Sequence, residues 1–208
     1  MAECVIFCAG EFEGLAAPIA PDAYIIAADG GYDHVKKLGI TPSCVLGDFD
    51  SLGYTPEDAA VFPVEKDDTD AMLAVRHGLK MGCERFFFYG ALDGPRLDHT
   101  VANYQTLQFL ADHGVRGWLI GRNHVVTVLK NGQIPFPETA TGILSVFCMG
   151  PAAKGVTLAG LQYPLENGTL ESGFPLGVSN HFVGKKALVR VEDGSLLIFY
   201  DRENGICG

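Results

Sequence analysis

Residues 24–31 read Tyr-Ile-Ile-Ala-Ala-Asp-Gly-Gly, and this segment is the clearest indication of how the N-terminal half of the chain folds. A short continuous apolar run is typical of a strand that is buried on both faces of a parallel sheet. The run ends in an aspartate and two glycines, which suit a turn from a strand into a helix, and we expect that helix to continue through Leu38. The stretch therefore predicts one strand–turn–helix unit of an α/β fold.

The same pattern recurs on both sides of this stretch. Short apolar runs alternate with segments whose apolar residues are three or four positions apart, which is the spacing of one helix face. The predicted strands are 5–10, 44–46, 85–90 and 118–120, and the two further helices carry Met72, Val75 and Leu79 in one case and Val101, Tyr104 and Leu107 in the other. This alternation predicts a parallel, three-layer α/β domain over residues 1–123.

Beyond about residue 122 the pattern changes, because helical periodicity ends and turn dipeptides appear. Asn131-Gly132, Asn167-Gly168 and Asp193-Gly194 are hairpin signals. The strand candidates between and around them are Val125–Leu129, Ile143–Cys148, Ala187–Val191 and Leu196–Tyr200. We therefore predict an antiparallel β domain over residues 124–208, built as a small sandwich or barrel.

Composition restricts the possible partners. The formal net charge of −10 disfavours a nucleic-acid backbone or an anionic membrane, since either would require a basic face. No apolar run approaches the roughly 20 residues needed to span a bilayer, and the start of the chain lacks the basic residues of a signal peptide, so a cytoplasmic location is expected. The six cysteines form no CxxC pair and are interpreted mostly as small core residues.

Aspartates follow the predicted strands at nearly every strand end. In an open parallel sheet these ends meet at one edge, so the fold would gather the aspartates into one cleft. They are Asp29, Asp48, Asp50, Asp67, Asp68, Asp70, Asp93 and Asp98. Any one of them could simply close a turn or cap a helix. Together they would repel one another unless a divalent cation is present, and Mg²⁺, which is usually held with substrate phosphates, is the natural candidate.

Groups that could bind phosphate are less distinct. The chain contains neither a GxxxxGK[ST] loop nor a GxGxxG fingerprint. Gly30 and Gly31 could let main-chain N–H groups approach an anion at a helix N-terminus, or could only permit a tight turn. Lys66, Arg96 and His99 could stabilise charge on transferred phosphoryl oxygens, or could each pair with a neighbouring aspartate.

Taken in order, five short motifs resemble the motif series of the thiamine pyrophosphokinases. They are Asp29-Gly30-Gly31, Gly47-Asp48-Phe49-Asp50-Ser51, Lys66-Asp67-Asp68-Thr69-Asp70, Arg96-Leu97-Asp98-His99 and Ser179-Asn180. Residues 155–158 and 160–165 also resemble the bacterial members of that family. The resemblance implies an N-terminal α/β domain, a C-terminal β-sandwich, a homodimer, and transfer of a pyrophosphoryl group from ATP to the hydroxyethyl oxygen of thiamine.

The same resemblance implies roles for individual residues. Catalytic roles fall to Asp48, Asp50, Asp67, Asp70, Arg96 and Asp98. The expected Mg²⁺ ligands among them are Asp48, Asp50, Asp70 and Asp98. Contacts with ATP or thiamine are implied for Asp29, Gly30, Gly31, Ser51, Lys66, Thr69, His99, Ser179 and Asn180. Phe174 and Phe182 could offer an apolar surface to the pyrimidine ring, or could belong to the β-domain core.

Two departures from the family pattern stand out. The family usually has Gly-Ala-x-Gly-Gly-Arg before its RxDH aspartate, whereas residues 90–96 read Gly-Ala-Leu-Asp-Gly-Pro-Arg, with one more residue and a proline. His181 also follows Asn180 where a glutamate is common. A different Mg²⁺-dependent nucleotidyltransferase or phosphohydrolase, and a non-catalytic nucleotide or thiamine sensor, remain alternative interpretations of the same residues.

Overall fold

The chain divides into two compact units in the computed structural model, which describes residues 2–47 and 68–208. The first unit comprises Met1–Thr106 and Val115–Arg122, and the second comprises Leu107–Gly114 and Asn123–Gly208. Helix α3 (Leu97–Asp112) contributes residues to both units, so no single cut in the sequence separates them.

The first unit contains a parallel sheet, as the alternating pattern predicted. Its strands are β1 (Glu3–Phe7), β2 (Tyr24–Ala28), β3 (Cys44–Leu46), β4 (Arg85–Tyr89) and β5 (Arg116–Ile120). They lie in the order β3-β2-β1-β4-β5, and each neighbouring pair is parallel. In β1, β4 and β5 every residue after the first is buried, which explains why these strands are continuous apolar runs.

Two short helices pack on this sheet. Helix α1 (Gly31–Lys37) and helix α2 (Asp70–Lys80) both contact β1 and β2. The buried face of α2 includes Ala71, Ala74 and Gly78, and a Cβ at Gly78 would lie 2.6 Å from the ring of Phe86. Small residues therefore let α2 lie close to the sheet. In the described ranges, no helix is both long and apolar enough to cross a membrane.

The second unit is built from long antiparallel strands. They are β6 (His124–Phe136), β7 (Ile143–Ala159), β8 (Leu165–Glu171), β9 (Asn180–His181) and β10 (Ala187–Asp201). Their order is β6-β10-β7-β8, with β9 paired to β7, and a 3-10 helix, Arg202–Asn204, follows β10. Phe136 lies in the core of this unit and contacts the rings of Tyr200 and Phe182 with centroids 5.3 and 5.2 Å away.

The predicted hairpins at the three turn dipeptides are wrong. The dipeptides at 131–132, 167–168 and 193–194 lie inside β6, β8 and β10. Asn131 (φ 46°), Asn167 (φ 49°) and Gly194 (φ 111°) have left-handed backbones, and the pairing shifts register beside them. They therefore form bulges rather than chain reversals. Left-handed residues occur in both structures, so the dipeptides alone did not distinguish a bulge from a hairpin turn. Consequently the two strands predicted at 187–191 and 196–200 form one strand.

The cysteines behave as the sequence indicates. All six lie in the described part of the chain, and each is a free thiol. Cys4, Cys44, Cys83 and Cys207 are buried, whereas Cys8 and Cys148 are half-buried. Most of the cysteines are therefore small core residues, as predicted.

Candidate active site

A cavity of about 390 Å³ lies in the first unit, next to the carboxyl ends of β1, β2 and β4. Its walls come from the segments that follow these strands and from the first turns of α2 and α3. The lining residues are 8–10, 28–29, 68–71, 90–96, 99–100 and 102–103. Four aspartates, Asp29, Asp68, Asp70 and Asp93, therefore share one cleft, which is the arrangement expected at this edge of a parallel sheet.

Two glycines bring the segments after β1 and β4 close together at one side of the cleft. The main-chain N–H of Gly10 donates to the carbonyl of Gly90 at 2.9 Å. A Cβ on Gly10 would lie 2.5 Å from that carbonyl oxygen, and a Cβ on Gly90 would lie 2.4 Å from the carbonyl oxygen of Cys8. Gly90 also has a φ of 68°, which side chains disfavour. These glycines are required by close packing, and their places at the ends of the predicted strands 5–10 and 85–90 were the sequence signal for them.

The segment Asp29-Gly30-Gly31 forms the turn from β2 into α1. Asp29 has a φ of 47°, and its main-chain N–H donates to the carbonyl of Leu46 at 2.7 Å. A Cβ on Gly31 would lie 1.9 Å from the carbonyl oxygen of Phe7. Close packing alone therefore explains why residue 31 is a glycine, because no side chain fits where α1 meets the end of β1. Anion binding by Gly30 and Gly31 stays a prediction.

The start of α2 brings polar groups to the cleft. Thr69 is the N-cap of α2, and its hydroxyl accepts a hydrogen bond from the main-chain N–H of Met72 at 3.2 Å. Asp70 is the first helical residue. Burial, together with the charge of Asp70, raises the pKa of the Cys8 thiol to about 12. This pKa favours the protonated thiol of Cys8 at neutral pH, which is a weak nucleophile. Asp68 pairs with Arg76 at 2.9 Å.

Arg96 and Asp98 form an ion pair at the start of α3. Arg96 Nη2 donates to Asp98 Oδ2 at 2.5 Å, and Nε donates to Oδ1 at 3.2 Å. Hydrogen bonding from Arg96 lowers the pKa of the Asp98 carboxyl to about 2. Arg96 and His99 line the cleft, whereas Asp98 is not part of its lining. Arg96 therefore forms the predicted ion pair with a neighbouring aspartate, and its predicted role toward phosphate stays a prediction.

Two polar residues that sequence reasoning missed hold the loop after β4. Asn103 is buried, and its Nδ2 donates to the carbonyl of Ala91 at 2.6 Å. The Thr100 hydroxyl donates to the carbonyl of Leu92 at 3.3 Å. Both residues lie on the inner side of α3, one helical turn apart. In the sequence, the signal that could have identified them was a polar residue in the first turns of a helix that follows a glycine-rich loop.

Several predicted site residues cannot be placed. Asp48, Asp50, Ser51, Lys66 and Asp67 lie outside the described residues. Within 2–47 and 68–208, no group of three or more histidines, cysteines, aspartates or glutamates is arranged to hold a metal ion.

Ser179 and Asn180, the pair predicted to bind thiamine, are held by hydrogen bonds within the second unit. Asn180 is buried, and its Oδ1 accepts from the main-chain N–H groups of Tyr163 and His181, both at 2.9 Å. Its Nδ2 donates to the carbonyl of Tyr163 at 2.7 Å. Ser179 has a φ of 58°, and its main-chain N–H donates to the Ser145 hydroxyl at 3.0 Å. Asn180 therefore joins β9 to the loop that carries Tyr163.

The two phenylalanines considered for the pyrimidine ring differ in environment. Phe182 packs on Phe136, as its core interpretation requires. Phe174 is 65% exposed. It lines a second cavity of about 280 Å³ within the second unit, together with residues 146–148 and 170–177. Of the two, Phe174 is the one available to a ligand.

Comparison with known proteins identifies two sequence families along the chain. The family described as "Thiamin pyrophosphokinase, catalytic domain" matches residues 18–119. The family described as "Thiamin pyrophosphokinase, vitamin B1 binding domain" matches residues 124–196. The chain is also 26% identical over 182 residues to a thiamine pyrophosphokinase of Bacillus subtilis, with 83% of this chain and 85% of that protein covered.

Solved structures of similar fold include two bacterial proteins. The crystal structure of thiamine pyrophosphokinase from Bacillus subtilis matches with a TM-score of 0.84 at 22% identity, covering 96% of this chain and 98% of that one. The thiamin pyrophosphokinase structure from Geobacillus thermodenitrificans matches with a TM-score of 0.80 at 24% identity, covering 97% of each chain. With both family matches in succession along one chain, this protein belongs to the thiamine pyrophosphokinase family of enzymes.

Proposed function

We propose that this protein transfers a pyrophosphoryl group from ATP to the hydroxyethyl oxygen of thiamine, forming thiamine diphosphate and AMP. The observation that carries the proposal is the cleft of the first unit, where Asp29, Asp70 and Arg96 share one lining in a chain of this family. Carboxylates favour a metal-bound nucleotide, and a guanidinium stabilises charge on phosphoryl oxygens.

The residues of the cleft are suited to Mg²⁺ in their chemistry. Mg²⁺ prefers oxygen ligands and commonly takes only one or two protein carboxylates beside phosphates and water. Asp70 would be one ligand, with Asp48 and Asp50 as proposed ligands outside the described residues. When bound, Mg²⁺ neutralises charge on the phosphate oxygens. Asp98 is also proposed as a ligand, which requires it to leave the guanidinium of Arg96.

The proposed reaction forms one P–O bond and breaks another. The hydroxyethyl oxygen of thiamine attacks the β-phosphorus of ATP and loses its proton to a nearby carboxylate. The bond between the β-phosphorus and the oxygen bridging to the α-phosphorus breaks, and that oxygen leaves with AMP. Positioning and charge stabilisation by the cleft residues would supply most of the catalysis, with Arg96 facing the transferred phosphates.

We assign nucleotide binding to residues 1–123 and thiamine binding to a β-sandwich formed by residues 124–208. Phe174 offers an exposed aromatic face for the pyrimidine ring. Because the side-chain amide of Asn180 is engaged with Tyr163, its proposed contribution to thiamine binding is to hold the main chain around Ser179. The Ser179 hydroxyl is the proposed direct contact.

A homodimer is also part of the proposal. The second unit exposes six large apolar side chains, and contact with a second copy of the chain would bury such surface. They are Ile143, Tyr163, Phe174, Leu176, Val178 and Val183, each more than 40% exposed. Sedimentation equilibrium of the purified protein tests this directly, since a concentration-independent mass of 22.3 kDa would contradict a dimer.

The decisive experiment is incubation of the protein with ATP, Mg²⁺ and thiamine, followed by chromatographic separation of the products. Equal amounts of AMP and thiamine diphosphate are expected. Formation of ADP or inorganic phosphate irrespective of thiamine would instead support a different phosphotransferase or a phosphohydrolase. Saturable binding of both ligands with no turnover would support a sensor.

A further inference from the structure

Asp93 makes two contacts that join three separate loops around the cleft. It lies in the loop after β4, and its main-chain carbonyl accepts a hydrogen bond from the N–H of Glu11, in the segment after β1, at 2.9 Å. Its carboxylate accepts a hydrogen bond from the main-chain N–H of Arg122, directly after β5. One aspartate therefore fastens the ends of three neighbouring parallel strands.

The glycine at position 121 leaves room for the Asp93 carboxylate. A Cβ on Gly121 would lie 2.5 Å from Asp93 Oδ2 and 2.8 Å from Leu92 Cδ2. The backbone of Gly121 is not left-handed, so a side chain there would conflict with Asp93 and Leu92 through space and not through backbone conformation. The carboxylate of Asp93 thus occupies the room that a side chain at 121 would take.

The rest of the loop is fastened in the same manner up to Asp93. The carbonyl of Gly90 accepts from Gly10 N–H at 2.9 Å, that of Ala91 from Asn103 Nδ2 at 2.6 Å, and that of Leu92 from the Thr100 hydroxyl at 3.3 Å. Each carbonyl from 90 to 93 therefore has a protein donor. The next three residues, 94–96, are exposed and end in Arg96, so Asp93 is the last anchor before that guanidinium.

A second tie between the same segments is weaker. The side chain of Arg122 pairs with Glu11 at 2.9 Å and with Glu13 at 2.6 Å. All three side chains are about half exposed, and exposed ion pairs contribute little to stability. The hydrogen bond from Arg122 N–H to the half-buried Asp93 therefore ties the segment after β5 to the cleft more firmly than these exposed ion pairs do.

We propose that Asp93 is a positioning residue of the nucleotide cleft, which fixes the loop before Arg96 to the segments after β1 and β5 and so sets where Arg96 meets the phosphates of Mg·ATP. The proposal rests on the proposed function. It assigns a role to the residue at which this chain departs from the usual Gly-Ala-x-Gly-Gly-Arg pattern.

A positioning role and a metal-ligand role predict different results for two substitutions. The acceptor bond to Arg122 N–H needs an oxygen but no negative charge, so Asp93→Asn should keep it. Asp93→Ala removes the oxygen altogether. We expect Asp93→Ala to raise KM for Mg·ATP about tenfold with KM for thiamine unchanged, and Asp93→Asn to stay within about twofold of the parent protein.

One further variant displaces the Asp93 carboxylate without removing it, and another serves as a control. Gly121→Ala should reproduce the Asp93→Ala effect, because its methyl group displaces the Asp93 carboxylate without removing it. Asp22→Ala removes an exposed aspartate outside the cleft lining and serves as the matched control, with kinetics expected to match the parent protein. Amide hydrogen exchange at Arg122 should accelerate in Asp93→Ala and Gly121→Ala but not in Asp93→Asn or Asp22→Ala.

The outcomes separate the proposal from its alternatives. If Asp93→Asn is as impaired as Asp93→Ala while Arg122 stays protected from exchange, the negative charge acts on the ligand itself and the positioning role is overturned. Unchanged exchange and unchanged KM in Asp93→Ala would also overturn it. If the parent protein forms no thiamine diphosphate, the proposed function fails by itself, and the affinity for Mg·ATP together with exchange at Arg122 still decides whether Asp93 shapes the cleft.

Discussion

Arg96 holds both carboxylate oxygens of Asp98, although the two residues are only two positions apart and both side chains are 65% exposed. The planar guanidinium matches a carboxylate and a phosphate equally well. Asp98 therefore occupies two donors, Nε and Nη2, that would face phosphate in the proposed function. Binding of Mg·ATP would exchange one anion for another at Arg96 and leave the Asp98 carboxylate available to a cation.

This pair leads to a titration prediction. Arg96→Ala should raise the pKa of the Asp98 carboxyl from about 2 towards its ordinary value of about 4. Because the pKa is lowered in the folded protein, the pair contributes above about pH 4 and is lost as the pH falls through about 2. The shift can be followed by 13C NMR of the carboxyl group. An Asp98 that still titrates near 2 in the variant would mean that another group sets its pKa.

Asp70→Asn should abolish turnover while leaving the fold intact. The substitution is nearly isosteric but removes the negative charge that the first residue of α2 contributes to the cleft. We expect kcat to fall by at least about a hundredfold, with a circular dichroism spectrum and a melting temperature close to those of the parent protein. Asp22→Asn, at an exposed aspartate outside the cleft lining, is the matched control. Full activity of Asp70→Asn would contradict the metal-ligand assignment.

The same substitution should also affect Cys8. The charge of Asp70 is one cause of the high pKa of this thiol, after burial. Asp70→Asn should therefore lower the pKa of Cys8 from about 12 and speed its alkylation at alkaline pH. The rate of modification of Cys8, followed by mass spectrometry across pH, measures this without any substrate. An unchanged pH profile would show that burial alone is responsible.

Thr69→Ala should destabilise the protein through loss of the α2 cap. The Thr69 hydroxyl accepts from Met72 N–H, and loss of such a cap typically costs about 1 kcal/mol of unfolding free energy. Thr69→Ser retains the hydroxyl and should restore most of that stability. Urea denaturation of the three proteins gives the comparison. Equal destabilisation by alanine and serine would point to packing of the threonine methyl group instead.

Gly31→Ala tests the contact between α1 and β1. The new methyl group would lie 1.9 Å from the Phe7 carbonyl oxygen, so the helix or the strand must move, at a cost of about 2–3 kcal/mol or more. Gly173→Ala is the control, because no atom lies within 4 Å of a Cβ there and its backbone is not left-handed. Thermal denaturation of both variants is sufficient. A melting temperature unchanged by Gly31→Ala would refute the packing explanation.

Asn180→Ala should destabilise the second unit. It leaves two partly buried main-chain N–H groups and one carbonyl without their side-chain partner, at a cost of about 1–3 kcal/mol. Asn123→Ala, at an exposed asparagine, should change stability by less than about 0.5 kcal/mol. Guanidinium denaturation measures both. Loss of thiamine affinity at unchanged stability would instead indicate that Asn180 contacts the substrate directly.

Predictions from the sequence succeeded where a local pattern has one structural meaning. A continuous apolar run such as 86–89 is buried on both faces only in a covered sheet, so β4 and its parallel neighbours were predictable. Asn131-Gly132 has two meanings, a hairpin turn or a bulge, because both need a left-handed residue. The choice depended on the long pairing of β6 with β10, where Gly194 N–H donates to Asn131 Oδ1 at 2.9 Å.

The same distinction applies to the candidate site, where local sequence predicted the positions of some residues but not of others. Asp29 and Asp70 were predictable because each directly follows a strand or begins a helix, positions that lead to the ligand-binding edge of a parallel sheet. The ion pair of Arg96 with Asp98 was one of two predicted roles and is present, while the role of Arg96 toward phosphate stays a prediction. The roles of Asn103 and Asn180 were not predictable, since each depends on a carbonyl presented by a different loop.

The alternation of strands and helices, the change to β structure after residue 122 and the order of the family motifs follow from the amino-acid sequence, because periodicity and motif order are properties of neighbouring residues. Three other features required the folded chain: Gly31 has no room for a side chain, Asn180 holds the Tyr163 loop, and Asp93 joins the loops after β1, β4 and β5. These roles depend on steric contacts and hydrogen bonds between residues far apart in the chain, and such distances exist only once strand register and loop path are set.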